Sequence, residues 1–216
     1  MTNNRSINNF DSWLKQRLQE PLPGPNVQRE MAPFADAFDR FEADRRNARQ
    51  SAVLINVMES AGRLCFPLIQ RPVYQGVHSG QVGLPGGKQD EGDQSVVATA
   101  LREANEEIGL LAETVQVVGE LTDLFVPVSN FIIQPVISVC KQPVDFQPDP
   151  REVEEIFLCD LEELVLQQEP SARTEVSTGK GKLEVPFFEV GGKVVWGATA
   201  IILGEFRSLC ARYFTD

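Results

Sequence analysis

The stretch GQVGLPGGKQDEGDQSVVATALREANEEIGL, residues 80–110, sets a glycine-rich loop ahead of a segment with helical spacing. In its second half an ideal helix turns about 100° per residue, so Glu103 and Glu107 fall one turn apart with Glu106 beside them. Leu101, Ala104 and Ile108 occupy another face, and the small Ala100 and Ala104 allow close approach to a sheet. The helix is expected from about Ser95 to Ile108, with Gly109 as its C-terminal cap. Like charges at this spacing each cost roughly 0.2–0.5 kcal/mol per pair in an isolated helix, so a compensating cation is expected nearby. Arg102 and a divalent metal are the two candidates.

Clustered glutamates suit magnesium, which takes oxygen ligands and often bridges one or two carboxylates to substrate phosphates. From the glutamates alone, a solvated acidic face is an equally good reading. The preceding loop tips the balance. Gly86 and Gly87 permit backbone conformations closed to residues with a β-carbon, and such turns bring a ligand or phosphate close to the chain.

Outward from this core, the 216 residues are 42% hydrophobic and 24% charged, as in ordinary globular proteins with a buried core. The formal net charge of -11 argues against a nucleic-acid polymer as partner, because few cations are available to displace its counterions. No apolar run has the length of a membrane span or the form of a signal peptide, and a cytoplasmic protein is expected. Cys65, Cys140, Cys159 and Cys210 lack metal-ligand or redox spacing and read as buried reduced thiols. Nothing in the sequence fixes the oligomeric state, and a homodimer is allowed.

Residues 1–49 read as an N-terminal helical extension and linker, and residues 50–216 as the catalytic domain. Phe10, Trp13, Leu14 and Leu18 recur at helical spacing, and Pro21 to Pro25 stop that helix. Phe34, Phe38 and Phe41 suggest a second short helix. From Ala52 the runs AVLINVM and LCFPLI flank a turn-like ESAGR, the pattern of a hairpin. Further strands are expected over Val115–Glu120, Phe131–Cys140, Glu154–Leu158 and Val185–Val190, with a short helix near Leu161–Leu166. The polar stretch 167–181 reads as an excursion, either a substrate lid or a long hairpin loop. A last strand runs into a C-terminal helix carrying Ile202, Phe206, Leu209 and Tyr213.

With these residues in view, the chain resembles the Nudix hydrolases. Their box reads Gly, five residues, Glu, seven residues, Arg-Glu, an apolar residue, any residue, Glu-Glu, any residue, Gly and an apolar residue. Arg102, Glu103, Ala104, Glu106, Glu107, Gly109 and Leu110 match its second half. Gly87 lies one residue farther from Arg102 than the general pattern, and Asp93 stands in for the first Glu. That longer loop with an Asp is similar to the coenzyme A pyrophosphatase branch, and the resemblance extends from about Ala52 to Leu203 through GEL, SNF, EVEEIFLCDL and WGATA. One departure lies just before the His78 loop, where the branch has Thr, any residue, Arg-Ser and this chain has Ile69, Gln70, Arg71 and Pro72.

The resemblance implies an α/β/α sandwich with a mixed β-sheet and a loop-helix-loop catalytic motif. It implies Mg2+ or Mn2+ as cofactor and hydrolysis of a diphosphate in coenzyme A or a derivative, to an adenosine bisphosphate and a phosphopantetheine product. The alternatives are a Nudix hydrolase of ADP-ribose, dinucleotides or another nucleoside diphosphate derivative, and a non-catalytic nucleotide-binding module of this fold. Carried over by position, Glu103 and Glu107 are metal ligands, and Glu106 is a further ligand or helper. Arg102 organises the cluster, and Asp93 braces Arg102 or caps the helix. Gly86, Gly87, Lys88, His78 and Arg71 are expected at the substrate. The general base is Glu103 or an outside carboxylate from Glu152, Glu154 and Glu155.

Overall fold

In the computed structural model, which describes residues 5–33, 45–73, 79–167, 173–178 and 181–215, strand β1 (Arg49–Ser60) is the axis of the sheet. It turns through Ala61 and Gly62 into β2 (Arg63–Gln70), as the hairpin pattern predicts. On its other side β1 lies parallel to β7 (Phe131–Cys140), in register from Arg49↔Phe131 to Met58↔Cys140. The remaining pairs are antiparallel, so the sheet is mixed.

The hairpin opens after Met58↔Cys65, and two very short strands fill the wedge. Strand β3 (Val82–Gly83) pairs with β2, and β4 (Gly86–Lys88) pairs with β1 at Ser51–Val53. The glycine-rich loop is thereby sewn into the sheet. Beyond β7 lie β5 (Gln116–Glu120) and β6 (Leu124–Val126), and β8 (Glu155–Asp160) borders β2. A second sheet has the order β11-β10-β9, from Arg173–Thr178 (β9), Gly181–Val190 (β10) and Lys193–Trp196 (β11).

The two faces of β1 are sorted by the alternation of strand side chains. Ala52 and Leu54 meet Ala100, Ala104 and Ile108 of helix α3 (Val96–Ile108). Ile55 and Val57 face the opposite layer, built from α1 (Ile7–Arg17), α4 (Leu161–Leu166) and α5 (Gly197–Thr215). The result is an α/β/α sandwich. Helix α1 contributes Phe10 and Leu14, both fully buried, and Trp13, which joins Phe10 and Tyr213 in an aromatic cluster.

Three local expectations change. The Pro-rich segment does end α1, but Pro25 then starts a further helix, α2 (Pro25–Glu30), because proline at the first helical position loses no needed donor. Within the polar stretch 167–181, Arg173–Thr178 is a strand registered against β10, so the described part of that stretch is hairpin. Strand β8 begins one residue later than expected and runs on to Asp160, whose side chain caps α4. The suggested helix at Phe34, Phe38 and Phe41 falls outside the described residues.

Candidate active site

Helix α3 starts where Ser95 accepts from the Ala98 N–H at 3.2 Å, and ends at Gly109, whose φ of 70° provides the left-handed cap. Asp93 is therefore not the cap. Its carboxylate takes Arg102 Nε at 3.0 Å and Nη2 at 2.9 Å, a two-point grip on the guanidinium. The Asp90 N–H and Thr99 hydroxyl, each at 3.0 Å, hold the same carboxylate in place. The Arg102 guanidinium keeps this carboxyl well below the usual carboxylate range.

Arg102 then fans outward. Nη2 donates to the Lys88 carbonyl at 3.0 Å, while Nη1 meets Glu103 at 2.9 Å and Glu106 at 3.1 Å. This one side chain ties loop, strand β4 and helix together, and it supplies the positive charge that the acidic spacing calls for.

The three glutamates do not share one environment. Glu106 is exposed and Glu103 half-buried, whereas Glu107 turns inward and is only 1% exposed. Glu107 Oε2 accepts from the Gly86 N–H at 2.8 Å and Oε1 faces Arg71 Nη2 at 3.2 Å. Burial pushes the Glu107 carboxyl up to about 7, against the pull of Arg71 and the Gly86 N–H. Burial also raises Glu103, which Arg102 opposes and Glu106 reinforces.

Gly86 and Gly87 have separate steric reasons. A β-carbon on Gly86 would strike the Ala52 carbonyl and come within 2.6 Å of Val53 Cα, so β4 could not lie against β1. One on Gly87 would sit 2.5 Å from the Glu103 carboxylate. The pair lets backbone and acid meet.

A carboxylate from outside the helix acts on them through its charge. The Gln147 and Asp149 N–H groups donate to the Ile108 and Glu107 carbonyls at 2.9 and 3.0 Å, which lays residues 147–149 over the end of α3. A turn from Asp149 then brings Glu152 close enough for its charge to raise both Glu103 and Glu107. Glu155 is engaged elsewhere, with Lys193 at 2.8 Å, and Glu154 is an exposed residue whose N–H bonds the Gln70 carbonyl.

Glu103 and Glu107 offer hard oxygen donors beside a backbone carbonyl, that of Gly86. Among the described residues, no three acidic, thiol or imidazole side chains converge as a self-sufficient cage. Magnesium does not need one, since it binds through one or two carboxylates and leaves positions to water and phosphate. The donor set fits such an ion.

The NUDIX domain model matches residues 48–178, from the start of β1 to the end of β9. The chain belongs to the Nudix hydrolase family. It is 34% identical over 163 residues to the protein named "Uncharacterized Nudix hydrolase NudL" of Pectobacterium atrosepticum, covering 73% of this chain and 80% of that one. It is also 36% identical over 128 residues to the mitochondrial coenzyme A diphosphatase NUDT8 of Homo sapiens, covering 59% of this chain and 54% of that protein. Among solved structures, the Nudix hydrolase RenU of M. smegmatis superposes with a TM-score of 0.53 at 18% identity, covering 76% of this chain and 87% of that one.

Nudix hydrolases act on small-molecule diphosphates and generally use divalent ions such as Mg2+ or Mn2+. In this Nudix hydrolase the residues singled out from sequence assemble unevenly. Arg102, Glu103, Glu107, Gly86, Gly87 and Arg71 come together; Glu152 is exposed and acts on the two acids through its charge; Glu106 and Lys88 are on the exposed rim; Glu154 precedes β8 and Glu155 begins it. His78 lies outside the described residues. No helix among the described residues is long and apolar enough to cross a membrane.

Proposed function

We propose that this Nudix hydrolase cleaves the diphosphate linkage of coenzyme A or its derivatives, releasing an adenosine bisphosphate and a phosphopantetheine product. The observation that carries the reading is the loop itself. Its extra residue and Asp93, the features similar to the coenzyme A pyrophosphatase branch, are built into the site through the two-point grip of Asp93 on Arg102. The 36% identity to a human coenzyme A diphosphatase supports the same substrate class.

In this reading Glu103 and Glu107 hold the divalent ion, with the Gly86 carbonyl beside them and Glu106 assisting from the rim. The bound ion would neutralise charge on the diphosphate and favour ionisation of the attacking water. Arg102 positions Glu103 and Glu106, while Asp93 and the Lys88 carbonyl hold Arg102. Water adds across the P–O–P bridge: a new P–O bond forms, a bridging P–O bond breaks, and the water proton passes to a carboxylate. Glu152 is our choice for that carboxylate, since its charge acts on both acids from outside the helix; Glu103 is the other candidate. Lys88, exposed at the end of β4, and Arg71 would meet phosphate oxygens. The four cysteines, all free and buried, suit a reducing compartment, which we read as the cytoplasm.

The test is a hydrolysis panel with Mg2+ or Mn2+ and mass identification of products, comparing coenzyme A, acyl derivatives, ADP-ribose and a dinucleoside polyphosphate. Coenzyme A and its derivatives are expected to be cut fastest. Rapid cleavage of another diphosphate with coenzyme A left intact would overturn the substrate assignment and leave the reaction class standing.

A further inference from the structure

Two arginines meet the acidic helix, and they are held in different ways. Arg102 is gripped by Asp93 through two nitrogens, at 3.0 and 2.9 Å, and reaches three more oxygens. Arg71 reaches Glu107 Oε1 at 3.2 Å and the Gly86 carbonyl at 3.4 Å, both through Nη2. Charge-assisted N–H···O bonds are normally about 2.7–2.9 Å, so both Arg71 contacts are long. The backbone of Arg71 is fixed, its N–H donating to the Gln81 carbonyl at 3.0 Å in line with the β2–β3 pairing, while its side chain remains 28% exposed. A firmly anchored backbone thus carries a loosely seated charge.

That seat matters. Glu107 Oε2 is committed to the Gly86 N–H, which leaves Oε1 and the Gly86 carbonyl as the oxygens that face a cation, and the Arg71 nitrogen lies against both. A divalent ion held by those two atoms would compete with the guanidinium for them.

We propose that Arg71 is a displaceable counter-ion: it neutralises Glu107 until a divalent ion takes Glu107 Oε1 and the Gly86 carbonyl, and the released guanidinium then turns to the substrate diphosphate. This rests on the reading of Glu107 as a ligand. Binding the ion and arming the phosphate contact become one event, so a free protein without the ion presents a weaker phosphate site.

The experiment measures Mn2+ binding to the whole protein without substrate, by calorimetry, for the unaltered chain and for Arg71→Gln, Arg71→Lys and Glu107→Gln. Removing a competing unit charge a few ångström from the ion should tighten Mn2+ binding about tenfold in Arg71→Gln, while Arg71→Lys stays near the parent. Unchanged or weaker binding in Arg71→Gln, with Glu107→Gln losing affinity, overturns the exchange and leaves the ligand reading intact. Undiminished binding in Glu107→Gln overturns the ligand reading and the exchange with it. The unaltered protein gives a second readout that needs no variant to fold: the Arg71 Nε–H NMR resonance should move on adding Mg2+, and a stationary resonance overturns the exchange. With substrate, Arg71→Gln should raise KM several-fold; an unchanged KM overturns the second half of the proposal.

Discussion

Asp93 holds Arg102 at two points, 3.0 Å to Nε and 2.9 Å to Nη2, and through it sets the position of the acidic helix against the loop. Asp93→Asn keeps the size of the side chain and weakens both bonds. We expect a loss of about 1–2 kcal/mol, since bonds to charged groups contribute more than neutral ones but this pair is partly screened by solvent. Denaturant unfolding measures it. The sign of the pH dependence follows from the depressed carboxyl. The stabilisation is fully present above the unfolded-state pKa near 3.9 and is lost as pH falls through the lower folded value. Parent and Asp93→Asn should differ most above about pH 5 and converge in acid.

The two loop glycines should fail differently. Alanine at position 86 meets the backbone of β1, which cannot step aside, and should cost about 2–3 kcal/mol of stability. Alanine at position 87 meets the far end of the Glu103 side chain, which can move. Gly87→Ala should therefore melt close to the parent yet lose at least about tenfold in kcat, as expected when a reacting group is misplaced. Thermal melts and kinetics on the two variants separate the effects.

Glu103→Gln and Glu107→Gln should each lower turnover by roughly 10²–10⁴-fold, the range for removing a group engaged in the chemical step, without unfolding the protein. Preserved activity in either variant would remove that residue from the site.

Of the three glutamates near the start of β8, Glu152 acts through its charge on both acids of the helix, while Glu155 pairs with Lys193 on the surface. Glu152→Gln should reduce kcat by about 10²-fold or more at unchanged Mn2+ affinity if it accepts the water proton. Glu155→Gln should change kcat less than about twofold, since exposed ion pairs contribute little. A reversed order would move the base to Glu155.

Phe10 is fully buried in the layer formed with α5, although it lies well before the segment matched by the family model. Phe10→Ala should destabilise by about 3–5 kcal/mol, the range for deleting a buried aromatic ring. Equilibrium unfolding checks this, and a cost below about 1 kcal/mol would show that α1 does not share the core.

The features that were legible in sequence are those whose determinants are local. Helix α3 announces itself through its periodicity, its Ser95 and its Gly109; β7 is a ten-residue apolar strand; the β1–β2 hairpin carries its turn between two strand patterns. Strands β3 and β4 hold two and three residues, too few for any alternation to appear, and exist because the splayed hairpin offers them partners. Helix α2 is hidden by the prolines around it.

At the site, spacing alone places the three glutamates together but cannot tell an inward Glu107 from an outward Glu106, which depends on where the sheet lies. The same holds for the contact of Arg71 with Glu107, made across 36 residues of sequence, and for the charge of Glu152 acting on the same acid from 45 residues away. Glu205 is a further residue whose role depends on distant partners. It is fully buried in α5 and accepts from Gly24, Gln28 and Thr122, so its partners come from two distant loops and α2. An acid in an apolar helix was the available signal.

The parallel pairing of β1 with β7 has a consequence for how the chain folds. Its two strands meet across long stretches of sequence, Asn56 and Ser138 being 82 residues apart, whereas β1 finds β2 and β4 much nearer along the chain. Loop closure over such a distance is slow relative to hairpin formation. The hairpin and the glycine loop can therefore assemble early, but the segment that brings Glu152 to the acids follows β7 and arrives only after that late closure. A nascent chain would have the acidic helix long before it has a complete site, so acquisition of activity during refolding should lag behind the gain of helix.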